Sequence, residues 1–129
     1  MRKDMISNLG VALALSPAVQ AAAISGAAVD LAGFSAAMVV INTGAIAGAG
    51  DFGAKLQHSD TATSGDFVDV PADDVQGVAP ATLTADGSFK LGYIGSKRYI
   101  RIALTKAGGT SIAAGAIVFK GMPALAPMA

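Results

Sequence analysis

The sequence predicts an all-β chain folded as an antiparallel β-sandwich. Three observations carry that expectation. From Phe34 onward, apolar residues recur at every second position in short runs, the period of a half-buried strand. Clusters of Gly, Pro, Asn, Asp and Ser bound those runs roughly every eight to twelve residues, the spacing of sandwich turns. Hydrophobic residues make up 53% of the 129 and charged residues 14%, enough apolar material for one core and too little charge for a disordered chain.

The elements follow in order. Residues 1–17 read as an extended N-terminal arm, 18–122 as one sandwich domain and 123–129 as a short C-terminal tail. Arg2 and Lys3 before the apolar Val11-Ala-Leu-Ala-Leu15, with Ala21-Ala22-Ala23 behind, sketch a secretory signal. Asp4 among the basic residues and the interruptions at Ser7, Asn8 and Gly10 argue against it. No stretch reaches the roughly 18 apolar residues of a spanning helix. Residues 18–31 fit two structures. Ser16 as N-cap, Pro17 in the first helical turn and Gly26 as stop describe a helix. Two short strands around Ser25-Gly26 describe a hairpin. Intrinsic propensity favours the helix.

Residues 37–42 form an apolar, β-branched strand, and the small-residue stretch 45–50 a flexible connection. Residues 51–59 alternate, with Phe52, Ala54 and Leu56 on one face and Gly53, Lys55 and Gln57 on the other. Residues 59–65 are a polar turn, and Phe67-Val-Asp-Val70 is a strand stopped by Pro71. Residues 73–80 are a loop, 81–85 a strand, and Asp86-Gly87 a turn. Phe89, Leu91 and Tyr93 alternate against Lys90 and Gly92. In the clearest strand, 98–105, Ile100, Ile102 and Leu104 point inward, while Tyr99, Arg101 and Ala103 point outward. Residues 111–121 are an Ala/Ile/Val/Phe run able to pack on both faces.

Composition removes most chemistries. Nine basic and nine acidic residues give a formal net charge of +0, so the basic surplus of a nonspecific nucleic-acid binder is missing. With no Cys and a single His, thiolate metal sites, Cys nucleophiles and His-rich metal sites are excluded. His58, beside Ser59-Asp60 and near Asp66 and Asp69, reads as a strand-end residue beside a turn rather than a general base or ligand. The aspartates at 60, 66, 69, 73 and 74 lack the spacing of a calcium loop and suit turns instead. The stretch 44–50 lacks the Gly-Lys-Ser/Thr ending of a phosphate-binding loop. No nucleophile, base and orienting group can be assembled, so the expectation is a protein with no catalytic residues, no cofactor and no metal. A neutral, weakly charged, Ala/Gly-rich surface is unusual for a free monomer and points to coverage by other subunits.

The segments Ala28-Val-Asp-Leu-Ala-Gly-Phe34, Val39-Val-Ile-Asn-Thr-Gly-Ala-Ile-Ala47, Lys55-Leu-Gln-His-Ser-Asp60, Phe67-Val-Asp-Val70 and Gly95-Ser-Lys-Arg-Tyr-Ile-Arg101 carry a resemblance. Together they are similar to the capsid decoration, or cement, proteins of tailed bacteriophages. Relatives often carry a polar residue such as Glu where this chain has His58. The resemblance implies a jelly-roll sandwich on the outer surface of a virion capsid. There it would bind the major capsid protein as a homo-oligomer, a trimer, with no contact to nucleic acid or membrane. It favours the hairpin for residues 18–31 and makes Met1 to Leu15 an arm dispensable for folding. Arg2, Lys3, Phe34, Lys97, Arg98 and Arg101 are the candidate partner contacts. Two other classes fit less well: a secreted carbohydrate-binding or adhesion sandwich, and a head–tail connector or tail protein.

Overall fold

The structure, a computed structural model, describes Asp4, residues 6–77, Pro80 and residues 82–123. Arg2 and Lys3 lie outside the described residues. Ten strands occur among those described: β1 Leu9–Gln20, β2 Ile24–Ser25, β3 Val29–Asp30, β4 Phe34–Ala47, β5 Asp51–Ser59, β6 Val68–Asp69, β7 Val75–Gln76, β8 Ser88–Tyr93, β9 Tyr99–Gly108 and β10 Ser111–Pro123. They form two antiparallel sheets packed as a sandwich. One sheet has the order β1-β10-β4-β8-β7. In the other, β9 lies between β5 and the short β2 and β3, and β6 adds to β5. Counting β2 and β3 as one interrupted strand and setting β7 aside leaves eight strands, arranged 1-8-3-6 against 2-7-4-5. That order is jelly-roll-like: antiparallel strand pairs bend together from one sheet to the other.

The bend is visible at one corner. Strand β4 pairs with β10 in the first sheet, and β5 pairs with β9 in the second. The turns β4–β5 and β9–β10 therefore cross between sheets side by side. Gly48 and Ala49 both have positive φ, +57° and +56°, and Gly50 N–H closes the turn on Ala47 C=O at 3.2 Å. A Cβ on Gly48 would lie 2.1 Å from Thr110 Oγ1, and one on Gly109 2.1 Å from Ala49 C=O. Only glycine lets the two turns interlock.

Alternation places the core as expected. Val39, Ile41, Leu91, Ile112 and Val118 of the first sheet meet Phe52, Leu56, Ile100, Ile102 and Leu104 of the second, all buried. Of the strand expected over 81–85, the described residues 82–85 form none. Instead Leu83 plugs the core from a loop, its N–H donating to Phe52 C=O at 2.7 Å, and Ala54 N–H donates to Pro80 C=O at 2.9 Å.

The N-terminal third departs from the sequence expectations. Leu9–Gln20 is no free arm but the outer strand of the first sheet, paired with β10 from Leu9↔Gly121 to Gln20↔Ile112. The boundary at residue 17 falls inside it. Ala14 and Leu15 are core residues, so the segment up to Leu15 is not dispensable. Pro17 sits in an edge strand beside register shifts, a position that needs no N–H partner. Residues 18–31 are neither helix nor hairpin. β2 and β3 pair with the same strand, β9, at Leu104 and Ile100 respectively. Gly26 is not a turn residue but a close-packed crossing. Its N–H donates to Ile102 C=O at 2.7 Å, Ala27 N–H donates to Ala14 C=O at 2.8 Å, and a Cβ on Gly26 would lie 2.2 Å from Ala14 C=O. Long-range pairing on both sides has overridden alanine's helix propensity.

Candidate interaction surface

The two sheets present opposite kinds of outer face. On the first sheet, register aligns side chains in rows across four strands. Val11, Phe119, Met38 and Gly92 form one row; Leu13, Ile117, Val40 and Lys90 form the next; Leu9, Gly121 and Ala36 form a third. The only charge in these rows is Lys90, at the β8 border. Val11 is 62% exposed, Leu13 55% and Val19, further along β1, 70%. Met38, Val40, Ile117 and Phe119 are half-buried by one another. A shallow trough of about 570 Å³ runs among Leu9, Ala36, Met38, Phe119 and Gly92. Four strands by five residues span roughly 20 by 17 Å. That is on the order of 300 Å² in projection, the size of the largest apolar patch on an ordinary monomer, a patch that is often functional.

The outer face of the second sheet is polar and covered by the chain itself. Arg101 was expected to point to solvent. It does leave the core, but residues 60–70 fold over it and it is buried. Its Nε donates to Gln57 Oε1 at 2.8 Å and its Nη1 to Ser64 Oγ at 2.8 Å, and its guanidinium stacks 4.4 Å from the Phe67 ring centroid. Gln57 Nε2 in turn donates to Asp69 at 2.9 Å, and Lys55 pairs with Asp69 at 3.2 Å. Gln57 first and Lys55 second hold the Asp69 carboxyl below its ordinary pKa. Arg101 is thus a fastener for a loop and not an accessible contact.

Phe34, Lys97 and Arg98 do come together, lining a cleft of about 490 Å³ at one end of the sandwich. Arg98 grips Asp30 with two parallel bonds, Nε to Oδ1 at 2.9 Å and Nη2 to Oδ2 at 2.8 Å. This fork, with help from Ala32 N–H, holds the Asp30 carboxyl down at about 2. Lys97 Nζ reaches Asp60 at 2.8 Å, which raises the lysine pKa. Phe34 lies under Lys120 Nζ, 5.0 Å from its ring centroid. All three candidate contacts are therefore engaged within the chain, Phe34 and Lys97 half-buried and Arg98 exposed.

His58 is buried between the sheets. Its Nδ1 lies 2.8 Å from Tyr93 Oη, and Lys97 N–H donates to the same oxygen at 3.0 Å. The Tyr93 hydroxyl thus joins the imidazole of β5 to the backbone before β9, and the tautomer of His58 sets which of the two side chains donates. Burial pushes the Tyr93 hydroxyl above its ordinary pKa. This is an inter-sheet tie, a role that strand alternation could have signalled because His58 shares parity with Phe52 and Leu56. Among the described residues no cluster of three or more acidic or imidazole groups could hold a metal ion, and no helix is long and apolar enough to cross a membrane.

The apolar rows on the first sheet are a surface that sequence reasoning did not locate. The signal was in the 111–121 run: a strand apolar at both parities has two faces to bury.

No family model matches the chain, and no curated protein matches it. Among solved structures it is similar to a chain in the structure of infectious bursal disease virus, Gx strain, with a TM-score of 0.44 and 14% sequence identity. The match covers 89% of this chain and 32% of that one, so this chain spans about a third of the length of its structural neighbour.

Proposed function

We propose that this chain is a structural virion protein, a decoration or cement protein that coats the outside of a tailed-bacteriophage head and ties neighbouring major capsid proteins together. The observation that carries the reading is the bare apolar outer face of the β1-β10-β4-β8 sheet in a chain of zero net charge. A free monomer gains nothing from such a face, whereas a shell protein gains contact area from it. The jelly-roll-like strand order agrees with the fold that the sequence resemblance implies. The role is non-catalytic: area and copy number do the work. In a trimer each contact occurs three times, so modest single-site affinities combine through effective concentration. The cleft holding Phe34, Lys97 and Arg98 is a second, polar contact that fixes orientation while the apolar face supplies binding energy.

Intact-mass analysis and copy counting in purified particles from the chain's source test the proposal. The expected result is the chain at high copy in DNA-filled heads, released by mild treatment that leaves the shell intact. Recovery with tails at low copy would support a connector or tail role. A processed chain in culture fluid, absent from particles, would overturn the virion reading.

A further inference from the structure

We infer that two copies of this chain pair through the free edge of β1, antiparallel about Val11, to form one sheet continuous across both molecules. Strand β1 is the edge of its sheet, so among the described residues its outer side has no strand partner. Its two halves are treated differently. Beyond Leu13 the edge is disrupted by two register shifts and Pro17, and Ala14 C=O accepts a bond from Ala27 N–H. From Leu9 to Leu13 the register with β10 is unbroken. That half has no charge, no proline and no bulge, which are the usual protections of an edge strand.

The occupant follows from the sequence of that half. Leu9-Gly10-Val11-Ala12-Leu13 is symmetric in size about its centre. Antiparallel pairing about Val11 sets Leu9 opposite the second copy's Leu13, Gly10 opposite Ala12, and Val11 opposite itself. Large meets large on the outer face and small meets small on the inner. Any charge in such a segment would sit across from or near its own copy and repel it, and none is present. The row of Gly92, Met38, Phe119 and Val11 would continue unbroken into Val11, Phe119 and Met38 of the second copy. Two outer faces become one apolar floor of twice the width. The contact is isologous, so it closes at two chains, or at six where a threefold contact forms as well.

Because the chain has no cysteine, Val11→Cys is a unique reporter. Opposed residues in an antiparallel pair lie about 4.5–5.5 Å apart at Cα, within disulfide reach. Mild oxidation of full-length Val11→Cys is expected to give a covalent dimer, while Val68→Cys, equally exposed on the other sheet, does not. Native mass spectrometry of the unmodified chain is expected to show an even number of copies. Val11→Lys, with the circular dichroism of the parent, is expected to halve that number. A monomer or a trimer in the unmodified chain overturns the inference, as does an even assembly that Val11→Lys leaves intact or that Val11→Cys fails to cross-link. These readouts use the isolated chain, so their failure leaves the virion proposal standing, and absence from particles leaves the pairing standing.

Discussion

The two outer faces of this sandwich have nearly the same backbone and opposite chemistry. On the β5–β9 face, polar groups are collected and then covered by the chain's own residues 60–70, with Arg101 as the pin. On the β10–β4 face, apolar groups are collected and left bare. Coverage by one's own chain is a folding contact, and its loss is read as stability. Coverage by another chain is an assembly contact, and its loss leaves the fold alone. On the function proposed above, stability and assembly fall to different sides of one small molecule, so they can be broken separately.

The largest expected effect is on the covered face. Arg101→Ala removes two hydrogen bonds from a buried guanidinium and that group's stacking on the Phe67 ring. Charged hydrogen bonds contribute about 1.5–3 kcal/mol each, partly offset by the cost of burying the charge, so a loss of about 3 kcal/mol is expected in urea unfolding. Arg101→Lys keeps the charge but cannot fork between Gln57 and Ser64, and recovers only part of it. A loss under about 0.5 kcal/mol for the alanine variant would mean that residues 60–70 hold themselves in place.

The mirror experiment is on the bare face. Ile117→Lys puts a charge in the centre of the apolar rows. Unfolding is expected to move by less than about 0.5 kcal/mol, because the side chain reaches solvent past its neighbours. Binding to stripped heads is expected to weaken by about 2 kcal/mol, roughly thirty-fold, the scale of a central interface residue. If the variant unfolds and binding by the folded fraction is unchanged, the two faces are not divided as described.

Between the faces, Tyr93→Phe cuts the tie from β8 to His58. Both the Lys97 N–H and the His58 Nδ1 lose a partner, one of them buried. A loss of about 1.5 kcal/mol is expected in thermal or urea unfolding. No change would indicate that water enters and replaces the hydroxyl.

These sites differ in how far the sequence revealed them. Strand alternation gave the core, because Phe52, Leu56, Ile100, Ile102 and Leu104 have one parity and one burial. The same alternation pointed Arg101 outward correctly but said nothing of Ser64 and Phe67 folding over it, since loop placement depends on contacts made far away in the chain. Residues 9–31 were misread for a related reason. Ala-rich segments have weak β preference, and what makes Leu9–Gln20 a strand is the unpaired edge of β10, a partner nearly a hundred residues distant. Gly26 looked like a turn because glycine signals both turns and close approaches, and only the structure tells which. The net charge of zero led to the expectation of a covered surface, but charge totals have no address and did not place the apolar rows.

The smallest expected effect concerns the polar end of the molecule, where Asp30 and Arg98 join β3 to the start of β9. Asp30 is held at about 2, first by the Arg98 fork and then by Ala32 N–H, against an ordinary 3.8. A carboxyl whose pKa is lower in the folded chain binds fewer protons there than when unfolded. Its stabilising contribution is complete above 3.8 and is lost as pH falls through about 2. The side chains of Arg98 and Asp30 are 55% and 43% exposed, so solvent and salt screen the pair and the contribution is small. Asp30→Asn should therefore lower stability slightly at neutral pH, and its curve should converge on the parent's between pH 3.8 and about 2. Added salt should narrow the gap, because the pair is exposed, whereas the Arg101→Ala deficit, set in a buried site, should persist. Parallel pH curves for Asp30→Asn and the parent would show that Arg98 keeps no hold on Asp30 in solution. Arg98 would then be free to serve the partner contact expected of it, and the polar end would behave like the bare face instead of the covered one.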